Sequence, residues 1–295
     1  MKMLWLLFEW YIFIWLYFDW SYESMYKMSS DGELYKGGYW EPHSSSVDFC
    51  EPNYYLTSYV AEPHNCWSSL FISFIGLMGI LYGNPTKEMR FTVMFTVLIL
   101  IGLGSALLHM TLHWIPQSSD ELPMLWISLS YLHSLFTMKD GPGVKSSSAI
   151  YIFLVALVQT VLYYSYQHVY FVFIASMVLY SVIIIVWTIA LVNETGLDPS
   201  AKSLRVNIGM SSFVCYVFFG FGCWILDMNY CDTLLPYYLN SALGGCTLHV
   251  FWHIFASFGT YLNILFFIVV RVQFLKRDAR LKWIFGFIPI CTIKW

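Results

Sequence analysis

The chain has 295 residues, of which 58% are hydrophobic and only 11% are charged. A soluble domain usually carries about 25% charged residues, so this composition argues against a soluble enzyme and favours a membrane protein. The formal net charge of -3 argues against a nucleic-acid-binding protein, because that function needs a basic surface. The sequence indicates no required protein partner.

Seven long apolar stretches follow one another from residue 65 onward. Each is close to the roughly 20 residues that a helix needs to cross a bilayer. They lie at 65–83, 91–112, 121–138, 149–166, 169–192, 204–226 and 247–270. We therefore predict an all-α membrane protein, a bundle of seven transmembrane helices.

An eighth apolar stretch, residues 3–18, lies before the seven and is separated from them by a polar segment from Ser21 to Asn53. Three interpretations stay open: a signal peptide, a membrane anchor, or an extension of the gene model. A cleaved signal and an anchor both leave the polar segment on the same side of the membrane.

The distribution of basic residues predicts the orientation of the bundle, since Lys and Arg collect in short cytoplasmic loops. Connections at 84–90, 139–148 and 193–205 each contain basic residues, and so does the tail after Arg271. The alternate connections, 113–120, 167–168 and 227–246, contain no Lys or Arg. The alternation predicts a cytoplasmic tail and a short N-terminal segment, residues 21–62, on the lumenal face.

Polar side chains capable of chemistry occur inside these apolar helices, where they are energetically costly and by default indicate a site. Ser105 and His109 are four residues apart, as are His249 and His253, so each pair lies on one helix face. Three imidazoles with an open fourth position are typical of catalytic zinc, which activates a water molecule. Asp120 is placed to move a proton, and Ser105 to hydrogen-bond a carbonyl oxygen.

Simpler interpretations apply to other residues of the same types. His113 is a rival metal ligand, but its position near the membrane interface favours anchoring. His133 and His168 are interpreted as packing residues. Asp120 and Glu121, taken alone, are ordinary acids of a first helical turn.

Three sequence blocks resemble the alkaline ceramidase family. They are GYWEPHSSSVDFCEPNYYLTSYVAEPHN from residue 38, GSALLHMTLHWIPQSSDELPM from residue 104, and HVFWH from residue 249. This family belongs to a superfamily of seven-helix membrane hydrolases that also includes adiponectin-type receptors. The resemblance implies zinc-dependent hydrolysis of the N-acyl amide of ceramide, giving sphingosine and a fatty acid.

The resemblance also implies roles for individual residues. It implies zinc ligands at His109, His249 and His253, and catalytic roles for Ser105 and Asp120. It further implies a calcium site in the first block, formed by the side chains of Asp48, Glu51, Asn53 and Glu62 and the backbone carbonyl of Phe49. Carboxylate and amide oxygens are the ligands that calcium prefers.

The domain organisation follows from the extent of this resemblance. We expect an N-terminal extension at 1–37, a ceramidase-like seven-helix domain at 38–272, and a basic cytoplasmic tail at 273–295. Ceramide and membrane lipid are the expected partners, and the membrane of the endoplasmic reticulum or Golgi is the expected location. The alternative is a receptor of the adiponectin or progestin type that signals without turning over ceramide.

Two further expectations depend on the predicted orientation. Cys50 and Cys231 both fall on the lumenal face, where an oxidising compartment favours a disulfide. The alternative is that both are free thiols. Asn193 begins the sequon Asn-Glu-Thr but falls on the cytoplasmic face, so it should carry no glycan.

Overall fold

A computed structural model describes residues 38–141, 146–165, 170–194, 197–240 and 244–294 of the chain. The predicted N-terminal extension 1–37, with its apolar stretch 3–18, lies outside the described residues, and so does His168.

The described chain is mostly α-helical, as predicted. The first five helices are α1 (Pro63–Met78, continued by a π-helical turn Gly79–Gly83), α2 (Met89–Thr111), α3 (Trp114–Phe136), α4 (Ser146–Ser165) and α5 (Tyr170–Val192). A 3-10 turn, Pro199–Ala201, precedes α6 (Lys202–Phe213), which continues through a π-helical stretch, Val214–Phe221, into α7 (Gly222–Asn229). Then come α8 (Cys231–Asn240) and α9 (Leu248–Phe274).

Six helical segments of the described chain are long and apolar enough to cross a membrane. They correspond to all the predicted stretches except the third, so the prediction of an all-α membrane protein is confirmed. Helix α3 has 23 residues, as many as α2, but it is more polar because it carries Gln117, Asp120 and Glu121. The seventh transmembrane span stays a prediction.

Helix α9 is at the centre of the bundle and packs against α1, α6 and α7. Its second half is buried nearly without interruption, and Phe266, Phe267 and Ile268 have no exposed surface. Helix α2 packs along both α1 and α3. The two helices that carry the predicted histidines therefore belong to the tightly packed part of the bundle.

A buried ion-pair network joins three helices at the end of the bundle that is predicted to be cytoplasmic. Glu88 pairs with Arg271 at 2.7 Å and with Arg90 at 2.8 Å. Arg271 Nη1 also donates hydrogen bonds to the backbone oxygens of Met138 and Asp140. Separating the partners would leave a buried charge uncompensated, which costs free energy. The network therefore holds the start of α2, the end of α3 and α9 together.

The C-terminal tail forms a β-hairpin that the sequence analysis does not predict. Strands β1 (Asp278–Ile284) and β2 (Ile288–Lys294) pair antiparallel, and Phe285 and Gly286 in the turn have positive φ angles. The hydroxyl of Tyr261 donates a hydrogen bond to the Pro289 oxygen, which attaches the hairpin to α9. A count of basic residues predicts only the side of the membrane and carries no information about strand pairing.

Candidate active site

Three histidines from two helices meet inside the bundle. His109 comes from α2, and His249 and His253 come from consecutive turns of α9. One ring nitrogen of each lies within 4.8 Å of the corresponding nitrogen of the other two. All three side chains are buried, with residue exposures of 2% or less. The structure thus brings together the three residues that the sequence predicts to be metal ligands.

Hydrogen bonds to neighbouring residues fix the orientation of two of these rings. Glu62 accepts a short hydrogen bond from Nδ1 of His109. Ser68 Oγ lies 2.7 Å from Nδ1 of His253, and the single Ser68 proton is donated to the Asn65 oxygen. When Nδ1 of each ring donates the proton in these hydrogen bonds, both Nε2 atoms present a lone pair to the cluster.

Buried nitrogen atoms without hydrogen-bond partners provide a test of whether a metal fits. Within the described chain, Nε2 of His109 and Nδ1 of His249 are buried and have no partner. Unpaired buried polar atoms are rare in folded proteins and need an explanation. A metal ion bound by three neutral imidazoles explains them, and the residues present therefore fit such an ion.

Close packing between α2 and α3 brings the backbone of Asp120 next to the helical turn that carries Ser105. Ser105 is 1% exposed, one helical turn from His109, and its Oγ lies 3.0 Å from Oγ of Ser69. A Cβ atom added at Gly104 would lie 2.0 Å from the backbone oxygen of Ser119. Only glycine allows this approach, which places the backbone of Asp120 beside the turn that carries Ser105.

Two buried carboxylates lie where the N-terminal acidic block, residues 38–62, meets the start of α1. The carboxylate of Glu51 accepts hydrogen bonds of 2.7 Å from the backbone amides of His64 and Asn65. Burial raises the pKa of Glu51 to about 7, and burial together with nearby carboxylates raises the pKa of Glu62 well above its usual value. No Lys or Arg occurs between residues 38 and 62. A bound cation would relieve both charges.

Asp48, Phe49 and Asn53 complete the predicted calcium ligands. The Asn53 amide nitrogen donates to both carboxylate oxygens of Asp48, whereas Oδ1 of Asn53 is buried without a partner in the described chain. The backbone amide of Phe49 donates to Glu62 Oε1 at 3.1 Å. These contacts link Asp48 to Asn53 and Phe49 to Glu62, residues whose oxygen atoms are of the kind that calcium prefers.

Phe49 also connects the acidic block to the histidine cluster. Its ring centroid lies 4.8 Å from that of His109 and 4.2 Å from that of His249. Together with the bond from Glu62 to His109, this packing makes the acidic block one wall of the candidate metal site.

The structure contains the disulfide between Cys50 and Cys231. The bridge joins the acidic block to α8, which leads into α9. It closes a loop of 181 residues, so it restrains the unfolded chain strongly.

The alternative histidines have other partners. His113 donates from Nε2 to the Trp40 oxygen at 2.8 Å and accepts from Ser44 at Nδ1 at 3.0 Å, so it attaches the acidic block to the start of α3. His133 lies 3.3 Å from the Ser148 hydroxyl. Neither residue belongs to the metal-binding cluster.

Sequence analysis missed two residues that contact the cluster. Ser68 orients His253, and Asp227, which has no exposed surface, accepts a hydrogen bond of 3.3 Å from the backbone amide of His249. Asp227 could have been recognised in the sequence as a candidate site residue, because it is an ionisable residue within a segment apolar enough to span a membrane. The predicted helix 204–226 stops one residue before it.

The chain is similar to known proteins of one family. The family model described as Ceramidase matches residues 41–292. Alkaline ceramidase 3 of Mus musculus is 30% identical over 263 residues, which cover 85% of this chain and 93% of that protein. Alkaline ceramidase of Arabidopsis thaliana is 27% identical over 87% of this chain and 95% of that protein. Alkaline ceramidase of Drosophila melanogaster is 28% identical over 83% of this chain and 85% of that protein.

These matches extend over most of the chain, and the family model includes the second and third resemblance blocks and all but the first three residues of the first. The receptor alternative gains no support from them. The chain belongs to the ceramidase family.

Proposed function

We propose that the protein hydrolyses the N-acyl amide bond of ceramide to sphingosine and a fatty acid, and that the reaction depends on zinc. The observation that carries this proposal is the buried cluster of His109, His249 and His253, two of whose rings are held in a metal-binding orientation. Ceramide as the substrate follows from the names of the relatives, which are alkaline ceramidases.

Zinc is the metal that suits this donor set best. The three ligand atoms are neutral imidazole nitrogens, and no thiolate or carboxylate of the described chain joins the group. Imidazole donors suit borderline ions such as zinc, and three of them leave a coordination position open. When bound, zinc supplies Lewis acidity and an activated water molecule.

The remaining steps belong to side chains of this protein. Asp120 accepts a proton from the attacking water, whose oxygen becomes part of the fatty acid. The Ser105 hydroxyl donates a hydrogen bond to the amide oxygen as that atom gains negative charge. When the C–N bond breaks, Asp120 returns the proton to the departing nitrogen, which leaves as the amine of sphingosine.

The acidic block is proposed as a calcium site that supports the zinc site. Its ligands are the side chains of Asp48, Glu51, Asn53 and Glu62 and the carbonyl of Phe49. Calcium would neutralise the buried carboxylates and hold Glu62, which in turn orients His109. The support for this site is the partnerless Asn53 oxygen and the absence of basic side chains between residues 38 and 62.

Calcium binding is tested by thermal unfolding with and without a calcium chelator. The chelator should lower the melting temperature of the parent protein and leave that of Asp48→Asn unchanged. Glu41→Gln, which changes an exposed acid of the same block, should respond like the parent. If Asp48→Asn responds to the chelator as the parent does, the calcium assignment is wrong.

We also propose the membrane of the endoplasmic reticulum or Golgi as the location, with the acidic block lumenal and the tail cytoplasmic. The support is the alternation of basic and non-basic connections. In this orientation the histidine cluster lies near the lumenal membrane boundary, and ceramide reaches it sideways from the bilayer.

The proposed reaction is tested with purified protein in lipid nanodiscs containing ceramide. Sphingosine and fatty acid should appear in equal amounts, a zinc chelator should stop their release, and added zinc should restore it. His113→Ala removes an imidazole outside the cluster and should retain zinc-dependent turnover, although with lower stability. Absence of both products from zinc-loaded parent protein would refute the proposal.

A further inference from the structure

A groove separate from the histidine cluster opens between α3, α4 and α5. Its volume is about 450 Å³, within the range of ordinary ligand pockets. None of the three clustered histidines lines it, and neither Ser105 nor Asp120 does. The groove therefore has a lining of its own, distinct from the residues of the candidate active site.

One end of this groove carries a buried carboxyl group. Glu121 is 5% exposed, and its two carboxylate oxygens accept hydrogen bonds of 2.7 Å from Gln117 Nε2 and from the Tyr163 hydroxyl. Both donors are neutral, and the described residues lining the groove include no Lys, Arg or His. A carboxylate has about four acceptor positions, so Glu121 can still receive N–H groups from a ligand.

The other lining residues are mostly aliphatic or aromatic, and those on α4 continue away from Glu121 along that helix. Leu154, Val158 and Leu162 line the groove, and each is about half exposed on the surface that faces lipid. From Tyr163 to Tyr151, which also line the groove, α4 rises by about 18 Å at about 1.5 Å per residue. This shape suits a single long hydrocarbon chain that enters from the bilayer.

The polar end of the groove lies near the ends of two helices. Tyr163 is two residues from the end of α4, and Tyr170, which also lines the groove, is the first residue of α5. Tyrosine at helix ends is typical of the membrane interface. A ligand would therefore place its polar group at the interface and its chain in the hydrocarbon layer.

We infer that this groove binds the sphingoid base released by hydrolysis, with its ammonium group on Glu121 and its alkyl chain along α4. A long-chain amine is protonated at neutral pH, because alkyl ammonium groups have pKa values near 10. It supplies three N–H donors and the positive charge that the site lacks. The identification of this amine as the product rests on the proposed function, whereas the binding chemistry does not.

The same chemistry excludes the other components of the reaction. A fatty acid would bring a second carboxylate to Glu121, and like charges repel in a medium of low dielectric constant. Ceramide has an uncharged amide in place of the amine. The groove therefore discriminates the amine product from both the substrate and the acid product, and provides a route away from the histidine cluster.

Photoaffinity labelling tests this inference with a probe that the protein cannot hydrolyse. The probe is octadecylamine carrying a diazirine on its chain, used with protein in phosphatidylcholine nanodiscs at pH 7.5. Octadecanol and octadecanoic acid with the same diazirine are the matched controls for charge. The amine should label peptides of α4 and α5 at least tenfold more strongly than either control. Equal labelling by amine and alcohol would overturn the inference.

Two variants separate the charge of the groove from its shape. Glu121→Gln keeps a hydrogen-bonding side chain and should reduce labelling by the amine at least tenfold, whereas Asp278→Asn, which removes an exposed carboxylate of the hairpin, should have no effect. Val158→Trp fills the lipid-facing part of the groove and should abolish labelling of α4 by the amine. Parent-like labelling of Glu121→Gln or of Val158→Trp would contradict the site.

His253→Ala distinguishes failure of this inference from failure of the proposed function. The variant should lose ceramide turnover and still be labelled by the amine, because His253 does not line the groove. Loss of labelling in His253→Ala would count against a separate site. If the zinc-loaded parent protein is labelled by the amine but releases no sphingosine, the amine site stands, its occupant is not a product of this protein, and sphingosine supplied in the bilayer would compete with the probe.

Discussion

The carboxylate of Glu62 accepts a hydrogen bond from Nδ1 of His109. Glu62 lies at the end of the acidic block, directly before α1, and both side chains are fully buried. This bond fixes the tautomer of His109 and directs Nε2 of the ring toward the other two histidines. Partners of this kind generally raise the basicity of a metal-binding histidine.

Glu62→Gln should therefore weaken zinc binding. Loss of such a partner typically costs about 10–100-fold in metal affinity. The measurement is the zinc dissociation constant, obtained by competition with a chelator of known affinity at saturating calcium. Glu41→Gln should bind zinc like the parent, because its side chain is exposed.

Ser68→Ala shows whether the orientation of the histidine rings, and not the calcium site, accounts for the weaker zinc binding expected of Glu62→Gln. Ser68 contacts His253 and belongs to no proposed calcium ligand set. The variant should also bind zinc about 10-fold or more weakly. Ser73→Ala, which removes a hydroxyl that is bonded only to the Ile99 oxygen, is the matched control. Unchanged zinc affinity in both Glu62→Gln and Ser68→Ala would show that these partners do not tune the site.

Gly104→Ala should reduce turnover by separating α2 from α3. The added methyl group would meet backbone atoms of Ser119 and Asp120, which cannot move aside as a flexible side chain can. We expect a loss of stability of about 1–3 kcal/mol, the usual cost of overpacking, together with a lower kcat.

Gly222→Ala is the control for this substitution, since a methyl group there meets no atom within 4 Å. It should leave both stability and kcat close to those of the parent. If Gly104→Ala has the kcat and the melting temperature of the parent, the close approach of α2 and α3 does not position Asp120.

Asp120→Asn and Ser105→Ala should each lower kcat while zinc stays bound. Asparagine cannot accept the proton, and removal of one hydrogen-bond donor to a developing oxyanion commonly costs about 10²–10³-fold in kcat. Bound zinc, measured by elemental analysis of the same samples, should remain at the parent level. Loss of zinc in either variant would indicate a role in metal binding, and parent-like turnover would remove the residue from the mechanism.

Much of this arrangement can be predicted from the sequence because the membrane limits what a polar side chain can do. His109, His249 and His253 are evident as histidines within apolar helices, and the spacing of four residues between His249 and His253 predicts that these two share a helix face. The contact between α2 and α9 depends on tertiary packing. The pairs Ser105–His109 and His249–His253 nevertheless lie near the same predicted membrane boundary.

Contacts that depend on tertiary packing could not be predicted in the same way. Serine occurs often in membrane helices, so nothing in the local sequence marks Ser68 as the partner of His253. Predicting the groove beside Glu121 would require knowing how α4 and α5 pack on α3. Asp120 and Glu121 are adjacent acids in the sequence, and only the structure places Glu121 in a groove of its own.

The orientation of the bundle is tested by the disulfide and by glycosylation together. Peptide mapping without reduction should recover Cys50 joined to Cys231, and removal of the bridge should cost about 2–5 kcal/mol of stability. Glycosidase treatment should leave the mobility of the chain unchanged, because Asn193 is predicted to face the cytoplasm. A glycan on Asn193 would invert the topology and move the histidine cluster to the cytoplasmic side.

Titration of metal-free protein with zinc tests the central claim most directly. Sphingosine release from ceramide should increase in proportion to bound zinc and reach its maximum at about one zinc ion per chain, the number that a single three-histidine site holds. His253→Ala should bind zinc weakly and release no sphingosine at the same zinc concentrations. Full turnover by metal-free protein, or parent-like zinc binding and turnover by His253→Ala, would contradict the account.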